Sequence, residues 1–370
     1  MPSFSRRALL ATGAGAMLGL AVPAAARAAE AAGPFGRFGS PAARLTPRTL
    51  YVHPGGLGDH MSVRAAVSAA GGSGWTLVLA PGTYRETVSV SAARTGMTWI
   101  GASEDAADVV VVYDNAAGTP RPDGTPYGTT GSATTTVQAD GFTAHWVTFA
   151  NDFLRGDLPG NPGTQAVALK VQGDRSAFWH CRFLGHQDTL YADSMALDHF
   201  ARQYFAHCHV EGDVDFVFGR AVAVFEHCRF HTLLREDRTD APLGFVFAPS
   251  TARANPYGFL AARCRVTSEA PDGHYKLARP WVPGSDPTAW PSLVVRESVL
   301  AAGTDAVAPY ANMRDAHPWQ QQRFAEFRNT GPGARITVPE NRPQLAPDQA
   351  TTATRAAYLG DWDPRTTRCP

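Results

Sequence analysis

An all-β fold of the solenoid type, a parallel β-helix with a short capping helix at its N-terminal end, is predicted by three observations. A short strand-like segment recurs along the chain, its copies fall 20 to 36 residues apart, and helical patterns are scarce. A unit that repeats a single strand cannot bury its apolar face alone, so successive units must stack.

The copies occupy residues 144–149, 178–183, 205–210 and 225–230, with weaker ones at 261–266 and 295–300. Three carry the same His-Cys step: His180-Cys181, His207-Cys208 and His227-Cys228. With Phe149, Phe183, Val210, Phe230, Val266 and Leu300 taken as equivalent points, the steps are 34, 27, 20, 36 and 34 residues. Stacked strands of constant phase with loops of unequal length between them give this pattern. A β-sandwich is the competing architecture, but it would show even hairpin spacing with Asn-Gly or Asp-Gly turns, which are not evident.

In chain order, Arg6-Arg7 followed by an Ala/Gly/Leu run that lasts to Arg27 reads as a twin-arginine export signal over residues 1–28. An uncleaved membrane anchor is the alternative, because about 20 apolar residues can span a bilayer. Residues 29–47, rich in Ala, Pro, Gly and Arg, read as a flexible leader. The catalytic domain is expected over 48–364. Asp59 is expected to cap a helix that presents Val63, Ala66, Val67 and Ala70 to one side and ends at Gly71-Gly72. From Trp75 onward, short Val-, Phe- and Ile-rich segments alternate with Gly, Asn and Asp.

The 370 residues carry 33 basic and 33 acidic side chains, so no global field draws the chain to nucleic acid or to an anionic membrane. Loss of residues 1–28 removes three arginines and no acid, leaving a formal charge of −3. A secreted, monomeric protein without nucleic-acid partner or stable membrane association is expected. Five cysteines are present without Cys-x-x-Cys or Cys/His ligand spacing, so a zinc site is not supported; no cofactor is expected. Export favours thiol pairing. Cys208 and Cys228, at the same phase of consecutive repeats, are the expected disulfide, with Cys181 as the competitor one turn earlier.

Two aspartates sit among apolar residues. Asp188 follows Phe183 by five residues, and Asp215 follows Val210 by five. Equal phase in a stacked solenoid means vertical adjacency, so the two carboxylates should lie on neighbouring turns. A close pair cannot ionise easily together; one becomes an acid and the other stays an anion able to attack a carbonyl carbon. Either aspartate alone would be read as a turn residue. Gln165 and Gln187 offer uncharged amide donors suited to an oxyanion. Arg279 can fork onto a carboxylate, and Trp281 beside it offers a flat face to a sugar ring. Taken alone, Arg279 would be a surface ion-pair partner and Trp281 a core aromatic.

Five segments resemble, in order, the signatures of the pectin methylesterase (pectinesterase) family, in its secreted bacterial form. They are Gly82-Thr83-Tyr84-Arg85-Glu86, Gln165-Ala166-Val167-Ala168-Leu169, Gly185-His186-Gln187-Asp188-Thr189-Leu190, Asp215-Phe216-Val217-Phe218-Gly219 and Leu277-Ala278-Arg279-Pro280-Trp281. The ending at 358–364 is also similar to the family's tail. The resemblance covers about residues 48–364 and implies a single-stranded right-handed parallel β-helix without metal, acting on methyl-esterified polygalacturonate. It implies that Asp215 is the nucleophile, Asp188 the acid and base, Gln165 and Gln187 the anion-hole donors, and Arg279 the residue that holds the nucleophile. Tyr191, Phe218 and Trp281 match groove-lining positions, and Thr129, Arg235 and Met313 fall where bacterial members contact the polymer. Two features depart from the pattern: residues 192–201 form a longer segment between the aspartates, and Ala278 replaces the usual glycine before the arginine.

Three other functions fit the same architecture. A pectate lyase would need a calcium cluster of acidic residues, where only one close carboxylate pair is evident. An esterase or thioesterase with another ester substrate, and a pectin-binding solenoid with a relic site, complete the set.

Overall fold

The computed structural model describes residues 47–235 and 237–367. The expected export signal and residues 29–46 of the leader lie outside them. The described chain winds through three sheets of ten, seven and eight strands whose neighbours pair in parallel, so each coil gives one strand to each sheet in turn. One coil contributes Ser176–Trp179, Arg182–Leu184 and Leu190–Ala192; the next contributes Arg202–Ala206, His209–Gly212 and Val217–Gly219. This is the parallel β-helix, and every equivalence read from the repeats is a register pair: Phe149↔Phe183, Phe183↔Val210, Val210↔Phe230, Phe230↔Val266 and Val266↔Leu300.

The His-Cys step marks a corner. His180, His207 and His227 each adopt left-handed backbone, with φ 55° in all three, and turn the chain from the ten-stranded into the eight-stranded sheet. Such a conformation costs an L-residue about 1–2 kcal/mol. The turn keeps its hydrogen bonding, because each corner amide donates to a carbonyl of the following coil: His180 to Ala206, His207 to Glu226 and His227 to Ala262.

Inside, equivalent side chains form ladders. Phe178, Phe205 and Phe225 stack with ring centroids 4.9 and 4.7 Å apart, and Phe149 stacks on Phe183 at 5.7 Å. Offset stacks of this kind add to the stabilisation from area burial.

The helix Val63–Ala69 buries Val63, Ala66 and Val67 against the first coils, as its apolar spacing implies. Its cap is Ser62, not Asp59: the Ser62 hydroxyl accepts the Ala65 amide, and Asp59 instead accepts the Tyr51 amide. Glu86 completes the helix start by accepting the amides of Val63 and Arg64, where a negative charge meets the positive end of the helix. Among the described residues, no helix is long and apolar enough to cross a membrane.

The expected Cys208–Cys228 disulfide is not formed: Cys181, Cys208, Cys228 and Cys264 are all free and buried. In-register parallel neighbours stand about 4.8 Å apart with their side chains pointing the same way, wider than the Cβ separation a disulfide needs. Each thiol instead donates to backbone carbonyls, as Cys208 does to Phe178 and Ala206. Cys369 lies outside the described residues.

Candidate active site

The seven-stranded sheet carries the site. Leu169, Leu190, Val217 and Phe247 are register partners that face the core, while Lys170, Tyr191, Phe218 and Ala248 form the next row, on the opposite face. Asp188 stands two residues before Leu190 and Asp215 two before Val217, both in left-handed backbone with φ 65° and 51°. The Asp188 amide donates to the Val214 carbonyl and the Leu190 amide to the Phe216 carbonyl. The two aspartates are therefore equivalent positions on adjacent coils, about one strand spacing apart along the stack.

Their environments differ. Asp215 receives two hydrogen bonds from Arg279, Nε to Oδ1 at 2.8 Å and Nη2 to Oδ2 at 2.6 Å. Arg279 starts from the end of the strand Tyr275–Ala278, where its amide donates to Phe247. Burial raises the pKa of Asp215, and Arg279 opposes that rise. Among the described residues, nothing hydrogen-bonds the Asp188 carboxylate; burial first and the Asp215 charge second push its pKa well above the ordinary range. The pair thus divides into a proton-holding Asp188 and a more acidic Asp215.

Gln187 accepts the Thr164 hydroxyl at its Oε1, 2.8 Å away, which leaves its amide N–H groups as the free end. Gln165 lies one coil earlier and is half-buried, its backbone carbonyl taken by the Ala117 amide. Tyr191 and Phe218 stack at 4.1 Å, with Trp281 5.6 Å from Phe218 and 6.1 Å from Tyr191. Met313 and Trp281 pack, half-buried, on this group together with Ala133 and Val167. Thr129 sits in the short helix Gly128–Gly131, whose following Ser132 bonds the Val167 amide beneath the aromatics. Arg235 is engaged elsewhere: it pairs with Asp237 at 2.5 Å and bonds the Leu243 carbonyl. Among the described residues, no cluster of three or more His, Cys, Asp or Glu is arranged to hold a metal ion.

A family model described as Pectinesterase matches residues 49–361. The chain belongs to the pectinesterase family. It is 32% identical to Pectinesterase 31 of Arabidopsis thaliana over 317 residues, which cover 82% of this chain and 90% of that one. A pectin methylesterase from Erwinia chrysanthemi superposes with a TM-score of 0.75 at 29% identity, covering 86% of this chain and 98% of the other. A pectin methylesterase in complex with a hexasaccharide gives 0.74 at 29% identity over 85% and 97%. Members of this family are carboxylic ester hydrolases, and the chain is an enzyme of that class.

Neither departure from the pectinesterase pattern removes a group from the site. Ala278 is fully buried and its methyl joins the core, away from the groove. The longer segment after Ala192 exposes Met195 and Leu197, at 50% and 41%.

Two buried charge clusters beside this pectinesterase site were not read from the sequence. In one, Asp213 accepts two bonds from Arg155, both 2.7 Å, and one from His186 Nδ1 at 3.2 Å. In the other, Asp193 lies 3.1 Å from Arg220 and 3.9 Å from Lys170, whose Nζ stands 5.1 Å over the Tyr191 ring. Asp213 is visible in the segment 211–215, but Arg155 comes 58 residues earlier and has no phase relation to it.

Proposed function

We propose that this enzyme hydrolyses the methyl esters of polygalacturonate, with Asp215 as nucleophile and Asp188 as general acid and base. The observation that carries the reading is the asymmetry of the pair: Arg279 forks onto Asp215 alone, while Asp188 is buried beside it without a donor. Asp215 attacks the ester carbonyl carbon, and the developing oxyanion takes amide donors from Gln165 and Gln187. The carbon–methoxyl bond breaks as Asp188 gives its proton to the leaving oxygen, releasing methanol and leaving a galacturonyl–Asp215 anhydride. Asp188, now ionised, takes a proton from water. The resulting hydroxide attacks the acyl carbon, and Asp215 and a free galacturonate carboxylate separate.

The substrate assignment is supported by relatives named pectinesterase and by the similar pectin methylesterase in complex with a hexasaccharide. Tyr191, Phe218, Trp281 and Met313 form an apolar wall suited to sugar faces and methyl esters. Thr129 and Arg235 are proposed as further polar contacts to the polymer, Arg235 by giving up part of its pairing with Asp237. Substrate of this kind lies outside the bacterial cell, and the Arg6-Arg7 pattern supports export to it.

Methanol release from esterified polygalacturonate is the test. Release without a rise in unsaturated-product absorbance, and undiminished by a chelator, is expected. Asp215→Asn should abolish turnover, since an amide cannot form the anhydride; Asp188→Asn, lacking the proton donor and water activator but keeping the nucleophile, should lose about 10² to 10⁴-fold. Substantial turnover in folded Asp215→Asn, with a dead Asp188→Asn, would exchange the two roles.

A further inference from the structure

We propose that Asp213 is a positioning residue: its permanently ionised carboxylate, clamped by Arg155 and His186, holds Asp188 in its proton-donating form. This rests on the roles proposed above for Asp188 and Asp215.

The geometry sets a second matched pair two residues ahead of the first. The Asp213 amide donates to the His186 carbonyl at 3.0 Å, as the Asp188 amide does to Val214, so the His186 and Asp213 segments run side by side on adjacent coils. Asp213 is fully buried. Its two oxygens receive four donors: Arg155 Nη1 and Nη2, His186 Nδ1 and its neighbour's amide, Val214 N–H at 2.6 Å. A carboxylate so saturated stays ionised even in a dry interior.

The other charged groups around it do not discharge it. Arg235 and Asp237 pair with each other, and Arg155 Nε lies 3.8 Å from Asp237. The Tyr275 hydroxyl donates to the Leu233 carbonyl, and Arg279 is taken by Asp215. Burial alone would raise the pKa of Asp213, but the bonds from Arg155 and His186 outweigh it and hold the group below the usual carboxylate range. Burial is the main upward push on Asp188 and Asp215, with the Asp215 charge next for Asp188, and the fixed charge of Asp213 adds to it at both. A hydrolase with only the Asp188–Asp215 pair would hold the Asp188 proton less tightly.

The signature is a displacement of the whole pH profile. Removing the negative charge lowers both affinities for protons, so both limbs of the bell move toward lower pH. A merely structural role would lower activity without moving the limbs. Methanol release is measured against pH for the wild type, Asp213→Asn and Asp213→Ser, the last a smaller neutral replacement should the first fold poorly. The alkaline limb is expected to move to lower pH, read as lower activity of the variant at a fixed pH on that limb. Carbon-13 NMR titration of the Asp188 carboxyl, in aspartate-labelled protein, reads the same shift without turnover. It therefore separates failure of this inference from failure of the methylesterase reading. An Asp188 titration that coincides in the wild type and in a folded variant lacking the Asp213 charge overturns the proposal.

Discussion

Arg279 and Asp215, 64 residues apart in sequence, are joined by two parallel hydrogen bonds, and the same guanidinium lies 4.0 Å from the centre of the Phe245 ring. Fork and ring together fix the plane of the arginine, and the arginine fixes the plane of the carboxylate. Arg279→Lys keeps the charge but loses the fork and the stacking. Because the bonds from Arg279 lower the proton affinity of Asp215, their loss raises it, and the acid limb of the activity profile should move to higher pH. Misplacement of the nucleophile should also cost about 10²-fold in kcat. A pH profile of Arg279→Lys that matches the wild type in shape would detach Arg279 from the ionisation of Asp215.

Asp188 carries a stability prediction of the opposite sense to its catalytic one. Its folded pKa is raised above the unfolded value, so its contribution to stability is fully present below about pH 4 and is lost as pH rises through the folded value. At pH 8, above the unfolded value, the wild type bears the cost of that raised proton affinity, whether it holds the proton or carries a buried charge next to a second carboxylate, and Asp188→Asn removes it. The variant should melt at the wild-type temperature below about pH 4 and above it at pH 8. Calorimetry at the two pH values checks this; a variant less stable at pH 8 would contradict it.

The stacking of Phe149, Phe183, Val210, Phe230, Val266 and Leu300 was legible because a parallel coil repeats the same strand at one phase whatever its loops do. The adjacency of Asp188 and Asp215 followed from that phase. The cap at Ser62 was misread because Asp59 and Ser62 both have acceptor side chains, and only the backbone shows which one faces the free amides. The disulfide was misread because phase shows which side chains are neighbours but not that the strand spacing of about 4.8 Å keeps their Cβ atoms farther apart than a disulfide allows. The Arg155–Asp213 contact joins a loop to a coil two turns away, and loops carry no period from which such a contact can be counted.

The four stacked cysteines should behave as inert core residues. Burial pushes Cys208, Cys228 and Cys264 well above the usual thiol range, so little thiolate forms at neutral pH. A thiol reagent is expected to leave Cys181, Cys208, Cys228 and Cys264 unmodified in the native protein and to reach all four in denaturant. The melting temperature should be the same with and without a reductant. A drop on reduction, with Cys208 and Cys228 recovered in one cross-linked peptide, would restore the disulfide.

The aromatic wall separates substrate binding from chemistry, because its members are unequally buried. Trp281 is half-buried on the rim of the group, whereas Tyr191 and Phe218 are only 5% and 3% exposed and stacked on each other. Removing the Trp281 ring takes away a surface for the polymer while leaving the stacked pair in place. Trp281→Ala should therefore raise KM for esterified polygalacturonate about tenfold, a loss of about 1.4 kcal/mol, with a smaller change in kcat and a melting temperature near that of the wild type. Phe218→Ala should also lower the melting temperature, since deleting a buried ring costs about 3–5 kcal/mol. Initial rates across substrate concentration, taken with melting curves, distinguish the two variants. Were Trp281→Ala to lower kcat with KM unchanged, its ring would be acting on the reacting centre through Arg279, two residues before it, and not on the polymer.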